Sequence, residues 1–180
     1  MAEALRLAHE AAAEGEVPVG AVVTLGDTVV GRGRNRRETA KSALAHAELE
    51  AIQEACTALG GWRLWQCTLY VTLEPCPMCA GAIINARLPR VVIGTMDPKA
   101  GSCGSVVSLF DLPYNHRPEV TANILAEECA SVLSEFFLTL RAKRRDAAEG
   151  DVPPPWKQRK SALPSPSPLI IDSKNPPERR

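Results

Sequence analysis

The sequence carries no net charge, because 21 Lys and Arg residues offset 21 Asp and Glu residues over 180 positions. That balance excludes a uniformly basic nucleic-acid coat and an acidic solvating chain, and it leaves any nucleic-acid contact to local patches. The sequence also lacks any uninterrupted apolar run near the roughly 18 to 20 residues that span a bilayer. Its opening, Met1-Ala2-Glu3-Ala4, has none of the charged-then-apolar layout of a secretory leader. The expectation is a cytoplasmic protein with no membrane contact. No internal repeat is visible. What is present, 45% hydrophobic and 23% charged residues, is the composition of an ordinary soluble globular chain of one domain plus a tail.

The tail is marked by proline. Eight of the fifteen prolines fall within residues 150–180, in stretches such as Val152-Pro153-Pro154-Pro155 and Pro164-Ser165-Pro166-Ser167-Pro168. Such composition favours extended chain and cannot bury enough apolar surface to repay the entropy of folding, so residues 150–180 are expected to be disordered. This segment holds a net charge of +3, which leaves the body, residues 1–149, at −3.

The body alternates helical and extended patterns. Residues 3–14 are rich in Ala and Leu and stop at Gly15, as a helix does. Two apolar runs, 19–25 and 28–33, flank the turn signal Gly26-Asp27 and read as a hairpin. Apolar residues at three- and four-residue spacing from His46 to Leu59 predict a helix ending at Gly60-Gly61. Cys67 to Leu73 is β-branched and aromatic throughout and gives the strongest strand signal. A helix over 77–86, a strand over 90–95, a weak strand over 120–124 and a long helix over 126–145 complete the pattern. This order predicts an α/β fold, a three-layer α/β/α sandwich with a mixed five-stranded sheet. In that sheet the strands at 67–73 and 90–95, joined through a helix, are parallel neighbours.

Six cysteines, at 56, 67, 76, 79, 103 and 129, are an even number, yet a chain of this length needs no disulfides to hold a core. In a reducing compartment a close pair points to metal binding or redox chemistry, which singles out Cys76 and Cys79. Three residues apart on a helix, their sulfurs project from one face within reach of one tetrahedral ion. Upstream stands His46-Ala47-Glu48, so the pattern is H-x-E followed by P-C-x-x-C. Three protein ligands, His46, Cys76 and Cys79, leave a fourth position open, as catalytic zinc sites do and structural ones do not. Zinc lowers the pKa of bound water to about 7. Glu48, too close in sequence to His46 to share the ion comfortably, is placed to carry protons beside that water.

The H-x-E and P-C-x-x-C pair is the known signature of zinc deaminases. The flanking blocks narrow the resemblance. Gly15-Glu16-Val17-Pro18-Val19-Gly20-Ala21-Val22, Asn35-Arg36, Leu69 to Cys76, Met78 to Ala82, Asp97 to Ser102, Asn115-His116-Arg117 and Glu127 to Ala130 resemble the bacterial tRNA-specific adenosine deaminases, members of the cytidine-deaminase-like superfamily. The resemblance covers the body and none of the tail. It implies hydrolysis of adenosine to inosine at the wobble position of a tRNA anticodon, with one Zn2+ per subunit. The partner it implies is the tRNA anticodon stem-loop, met by a homodimer whose subunits both line each site. It further implies that Asn35 contacts the flipped purine, that Glu16, Val17 and Ala45 shape its pocket, and that Asp97 meets the ribose-phosphate path. Phe137 and Arg141 correspond to terminal-helix positions around the anticodon loop. Ser42-Ala43-Leu44 stands where the family commonly carries Asp-Pro-Thr, and Leu138-Thr139-Leu140 replaces an Arg that often follows the paired Phe residues.

A free-base or nucleoside deaminase acting on guanine or cytosine would share every zinc residue. An idle RNA-binding or zinc-stabilised scaffold would not need Glu48. Other features have plainer readings. His9 and His116 lack partners at ligand spacing and read as structural or solvated, Cys56 and Cys129 as core thiols on apolar helix faces, and Cys67 and Cys103 as unconnected with metal. Trp62 and Trp65 read as a pair packing a turn. The cluster Arg32, Arg34, Arg36 and Arg37, with Arg141, Lys143, Arg144 and Arg145, is expected to form a phosphate-binding rim.

Overall fold

Gly26, with φ of 57°, turns the chain between two strands, β1 (Gly20–Leu25) and β2 (Thr28–Arg34), which pair antiparallel from Gly20 opposite Arg34 to Leu25 opposite Thr28. The structure, a computed structural model, describes residues 1–147. Residues 1–142 form a compact unit that contains the whole sheet. The expected boundary at 149/150 and the Pro-rich tail lie outside the described residues.

Three more strands extend the hairpin: β3 (Cys67–Leu73), β4 (Arg90–Thr95) and β5 (Glu119–Thr121), in the order β2-β1-β3-β4-β5. β1 pairs antiparallel with β3, while β3 with β4 and β4 with β5 are parallel, so the sheet is mixed and five-stranded as expected. The crossover from β3 to β4 is the short helix α3 (Pro77–Asn85). Alternation along β3 assigns the two faces. Leu69 and Val71 join Val91 and Ile93 of β4 in a core with Ile83 and Ile84 of α3 and with Ala47, Ala51 and Ala55 of α2 (Ala47–Leu59). On the other face, Val22 and Tyr70 pack with Ala4 and Leu7 of α1 (Ala2–Ala13). α4 (Ala126–Ala147) lies on that second face, where the sulfur of its buried Cys129 sits so close to Gly94 that a Cβ there would come within 2.5 Å.

Backbone-to-backbone packing sets where α2 runs. A Cβ at Gly31 would stand 2.1 Å from the Ala51 carbonyl oxygen, and one at Gly33 would stand 2.0 Å from that of Ala47. Any side chain at these two positions would lift the helix off the strand. The first turn of α2 is thereby pinned to the end of β2, which fixes the residue just before it, His46.

The elements depart from expectation in two places. The strand expected over 120–124 is confined to Glu119–Thr121, because Asn123 (φ 65°) and Leu125 (φ 55°) take the left-handed conformation and end the pairing. A 3-10 turn at Leu109–Asp111, which carries the buried Phe110, had no periodic signal to announce it. No helix of the described residues is long and apolar enough to cross a membrane.

Candidate active site

Two helices begin at the same point. His46 is the N-cap of α2, with extended backbone (φ −92°, ψ 147°), and Cys76 is the N-cap of α3 (φ −71°, ψ 172°), followed by Pro77 in the first turn. Neither cap side chain bonds its own helix, which leaves both for the site, and proline is tolerated next because the first helical N–H groups have no partner within the helix. Cys76 reaches the site as the cap, one residue before α3 and not from its face as expected, while Cys79 comes from inside the first turn of α3. His46 Nδ1 lies 3.7 Å from Cys76 Sγ and 3.5 Å from Cys79 Sγ. The three ligand atoms all lie within 4.8 Å of one another, an arrangement able to hold a metal ion, and no other such group of three occurs among the described residues.

The electrostatics suit a cation. A hydrogen bond from the Cys79 thiol, opposed by burial and reinforced by His46, lowers the Cys76 thiol to about 4, so Cys76 is a thiolate at neutral pH. Cys79 is pushed up, first by that same hydrogen bond and then by burial. The pair holds one proton that a metal would displace. His46 is raised by its hydrogen bond to Cys76. Burial pushes Glu48 up, partly offset by its own backbone N–H and by His46, and its side chain is shut away from solvent on the second residue of α2.

These groups close one end of a cavity of about 200 Å³. Of the residues singled out in the sequence, Val17, Asn35, His46, Glu48, Cys76 and Asp97 line it, together with Val19, Leu73, Glu74, Ala100 and Arg37. Glu16 and Ala45 do not line it. Glu16 is buried behind the wall, where its carboxylate accepts hydrogen bonds from the backbone N–H groups of Glu38 (3.1 Å) and Thr39 (2.7 Å) and from Asn35 Nδ2 (3.4 Å). Ala45 supports the same loop through its carbonyl, which accepts the Arg36 N–H at 3.0 Å. Phe137 lines an adjoining groove with Leu133, Ala130 and Met96, and that groove shares Val17, Leu73 and Asp97 with the cavity. Arg141 is exposed on α4, one turn beyond Phe137.

Three of the four hairpin-side arginines expected in the basic rim have acidic partners. Arg32 pairs with Glu3 (3.2 Å), Arg34 with Glu14 (2.7 Å) and Arg36 with Glu50 (2.8 Å), so three of the four charges are already matched. Among the described residues Arg37 makes no ion pair, and it alone of the four borders the cavity. Arg37, expected as one of the rim, lines the cavity, and so does Glu74, which sequence reasoning passed over because nothing in its spacing separates it from a solvated charge. Elsewhere the structure amends smaller expectations. Cys56 is half-buried rather than in the core, and Trp62 and Trp65, 52% and 66% exposed, flank Arg63 instead of packing a turn. His116 is structural, with Nε2 2.7 Å from the Leu88 carbonyl oxygen.

Residues 1–141 match the MafB19-like deaminase family. The chain is 49% identical over 148 residues to the tRNA-specific adenosine deaminase of Bacillus subtilis (strain 168), covering 82% of this chain and 92% of that protein. A solved structure from biochemical and structural studies of A-to-I editing by tRNA:A34 deaminases at the wobble position of transfer RNA is 44% identical, with a TM-score of 0.70 over 72% of this chain and 95% of that one. A guanine deaminase from Bacillus subtilis is more distant, at 32% identity and a TM-score of 0.52 over 78% of this chain and 90% of that one. By the match over its body and by these identities, the chain belongs to the MafB19-like deaminase family, in the branch of the tRNA-specific adenosine deaminases.

Proposed function

We propose that the chain hydrolyses adenosine to inosine and ammonia at the wobble position of tRNA anticodons, with zinc held by His46, Cys76 and Cys79. The 49% identity with the Bacillus subtilis tRNA-specific adenosine deaminase supports the substrate, and the spacing of the ligand atoms supports the zinc. Zinc–sulfur distances of about 2.3 Å and zinc–nitrogen distances of about 2.0–2.1 Å at a tetrahedral angle require N to S separations of about 3.6 Å. The separations here are 3.5 and 3.7 Å. One imidazole and two sulfurs also form the donor set that zinc favours, and three ligands leave a fourth position for chemistry.

When bound, zinc supplies the Lewis acidity that activates water for attack on the purine carbon bearing the amino group. Glu48 moves the protons. Its carboxylate would take one proton from the attacking water and pass it to the ring nitrogen, then take the second from the hydroxyl now on the purine carbon and pass it to the departing amine, a task suited to a carboxyl whose affinity for protons burial has raised. Val17 and Leu73 offer apolar walls for the base, and Asn35, whose amide is turned toward Glu16, presents a fixed polar edge to it. Asp97 and Arg37 stand where the ribose and its phosphates would leave the cavity, and Phe137 and Arg141 continue that path along α4. The same reading carries a homodimer with one zinc per subunit, working on tRNA in the cytoplasm.

The test is incubation of the purified protein with an anticodon stem-loop containing wobble adenosine. Inosine is the expected product. Conversion of free guanine with no reaction on the stem-loop would overturn the proposal in favour of a free-base deaminase.

A further inference from the structure

Glu74 follows the last residue of β3, two residues before Cys76, but its carboxylate is committed to another segment of the chain. One oxygen, Oε1, accepts the backbone N–H groups of Cys103 at 2.9 Å and Ser105 at 3.0 Å. The other, Oε2, accepts the Asp97 N–H at 2.9 Å and the Ser105 hydroxyl. The residue is 3% exposed. The loop wraps this carboxylate so tightly that a Cβ on Gly101 would stand 2.1 Å from Oε2. An ionised carboxylate offers only acceptors, about four lone-pair sites, and here four donors fill them. The segment so gathered, residues 97–105, contributes Asp97 and Ala100 to the cavity wall. It also leans on the turn that carries Cys76, through a hydrogen bond from the Ser102 N–H to the Pro75 carbonyl at 2.9 Å.

We propose that Glu74 is the positioning residue for this wall: its carboxylate organises the 97–105 loop so that Asp97 is held in place for substrate before substrate arrives. No covalent role is involved, and Glu74 acts through the loop. The proposal rests on the deaminase reading only for the identity of the substrate. A preformed wall contributes to binding by sparing the cost of ordering the loop in the complex, so its loss falls on KM more than on kcat.

The experiment uses the full chain loaded with zinc and the variant Glu74→Gln, which turns one acceptor oxygen into a donor facing donors. Amide hydrogen exchange is measured without substrate, and steady-state kinetics with the stem-loop. The expected results are exchange at Asp97, Cys103 and Ser105 faster by about tenfold or more, unchanged metal content, and a KM raised by about tenfold with kcat within about threefold. Leu64→Ala, a core truncation 1% exposed in the parent residue, serves as the control for general destabilisation and should leave KM unchanged. Unchanged exchange in Glu74→Gln, or a rise in KM matched by Leu64→Ala, would overturn the proposal. Should Glu74→Gln not fold, Ser105→Ala removes a single partner and must produce the same changes in smaller measure; no change in it overturns the proposal equally. If the unaltered chain yields no inosine, the deaminase reading fails, while the exchange rates still decide the role of Glu74.

Discussion

His46 Nδ1 and Cys76 Sγ, 30 positions apart in sequence, meet at 3.7 Å because each residue caps a helix and the two helices start from one place. Each N-terminus carries about half a positive charge from its unpaired N–H groups. Two of them aimed at one point favour thiolate at Cys76 and an anionic ligand set before any metal arrives. The sheet arranges this meeting: β2 leads to the start of α2, packed down at Gly31 and Gly33, and β3 leads through Glu74-Pro75 to the start of α3.

Because Glu48 lies outside the triangle of ligand atoms, Glu48→Ala should keep its metal and lose turnover. The proton carrier accounts for about 10²–10⁴-fold in rate, and losses of that size or larger are expected. Metal analysis and an inosine assay on the same preparation check it. Loss of metal together with activity would make Glu48 a ligand or a structural group.

Cys79→Ala should instead lose both metal and stability, since it opens the triangle and the helix start built around it. The unaltered protein should show a melting temperature that rises with free zinc, gaining about 2.7 kcal/mol at a hundred times the dissociation constant. Cys56→Ala, at a thiol distant from the cluster, should keep its zinc dependence. Calorimetry with and without a chelator distinguishes the variants, and a Cys79→Ala protein that still melts higher in zinc would contradict the assignment.

The arginines divide by their partners. Arg37→Ala should weaken stem-loop binding and reduce the slope of log K against log salt by about one counterion. Arg32→Ala and Arg34→Ala should leave the slope nearly unchanged, because their charges already face Glu3 and Glu14. Exposed pairs of this kind contribute only about 0.2–1 kcal/mol to stability, so these controls should also fold normally. Titrations at several salt concentrations decide the matter, and equal slopes for all three variants would return Arg37 to the solvated surface.

What could be read in the sequence was local or periodic. The β-branched run at 67–73, the glycine turn at 26 and the spacing of Cys76 and Cys79 each carry their own signal, and these were enough for the sheet and the metal cluster. Glu74 carried none. Its partners lie 23 to 31 positions away and are mostly backbone N–H groups, which have no residue identity to recognise. The partners of Arg32 and Arg36 are illegible for a related reason. Their carboxylates come from α1 and α2, 29 and 14 positions away, and only the packed fold brings them within reach. A run of charges in sequence thus gave the number of arginines but not which of them remained unmatched.

Glu16 provides the pH test. Burial alone would raise its carboxyl, yet hydrogen bonds from the backbone of Thr39 and Glu38, with the nearby Arg37 charge, bring it below the ordinary value of 4.5. A group whose pKa is depressed in the folded state adds stability that is fully present above its unfolded pKa and is lost as pH falls through the folded one. Glu16→Gln keeps the size of the side chain but sets an amide donor against N–H donors. At neutral pH it should cost about 1.5–3 kcal/mol, the worth of hydrogen bonds to a charged acceptor. As the pH falls through 4.5 the unfolded carboxyl takes up its proton first, and the native one follows only at the lower folded pKa, where it comes to resemble the amide. The stability gap between the two proteins should therefore narrow steadily in acid. Urea unfolding of both proteins from neutral pH to well below 4.5 measures that gap, and one that stays constant or widens below 4.5 would show that Glu16 holds the 38–39 segment by shape and not by charge.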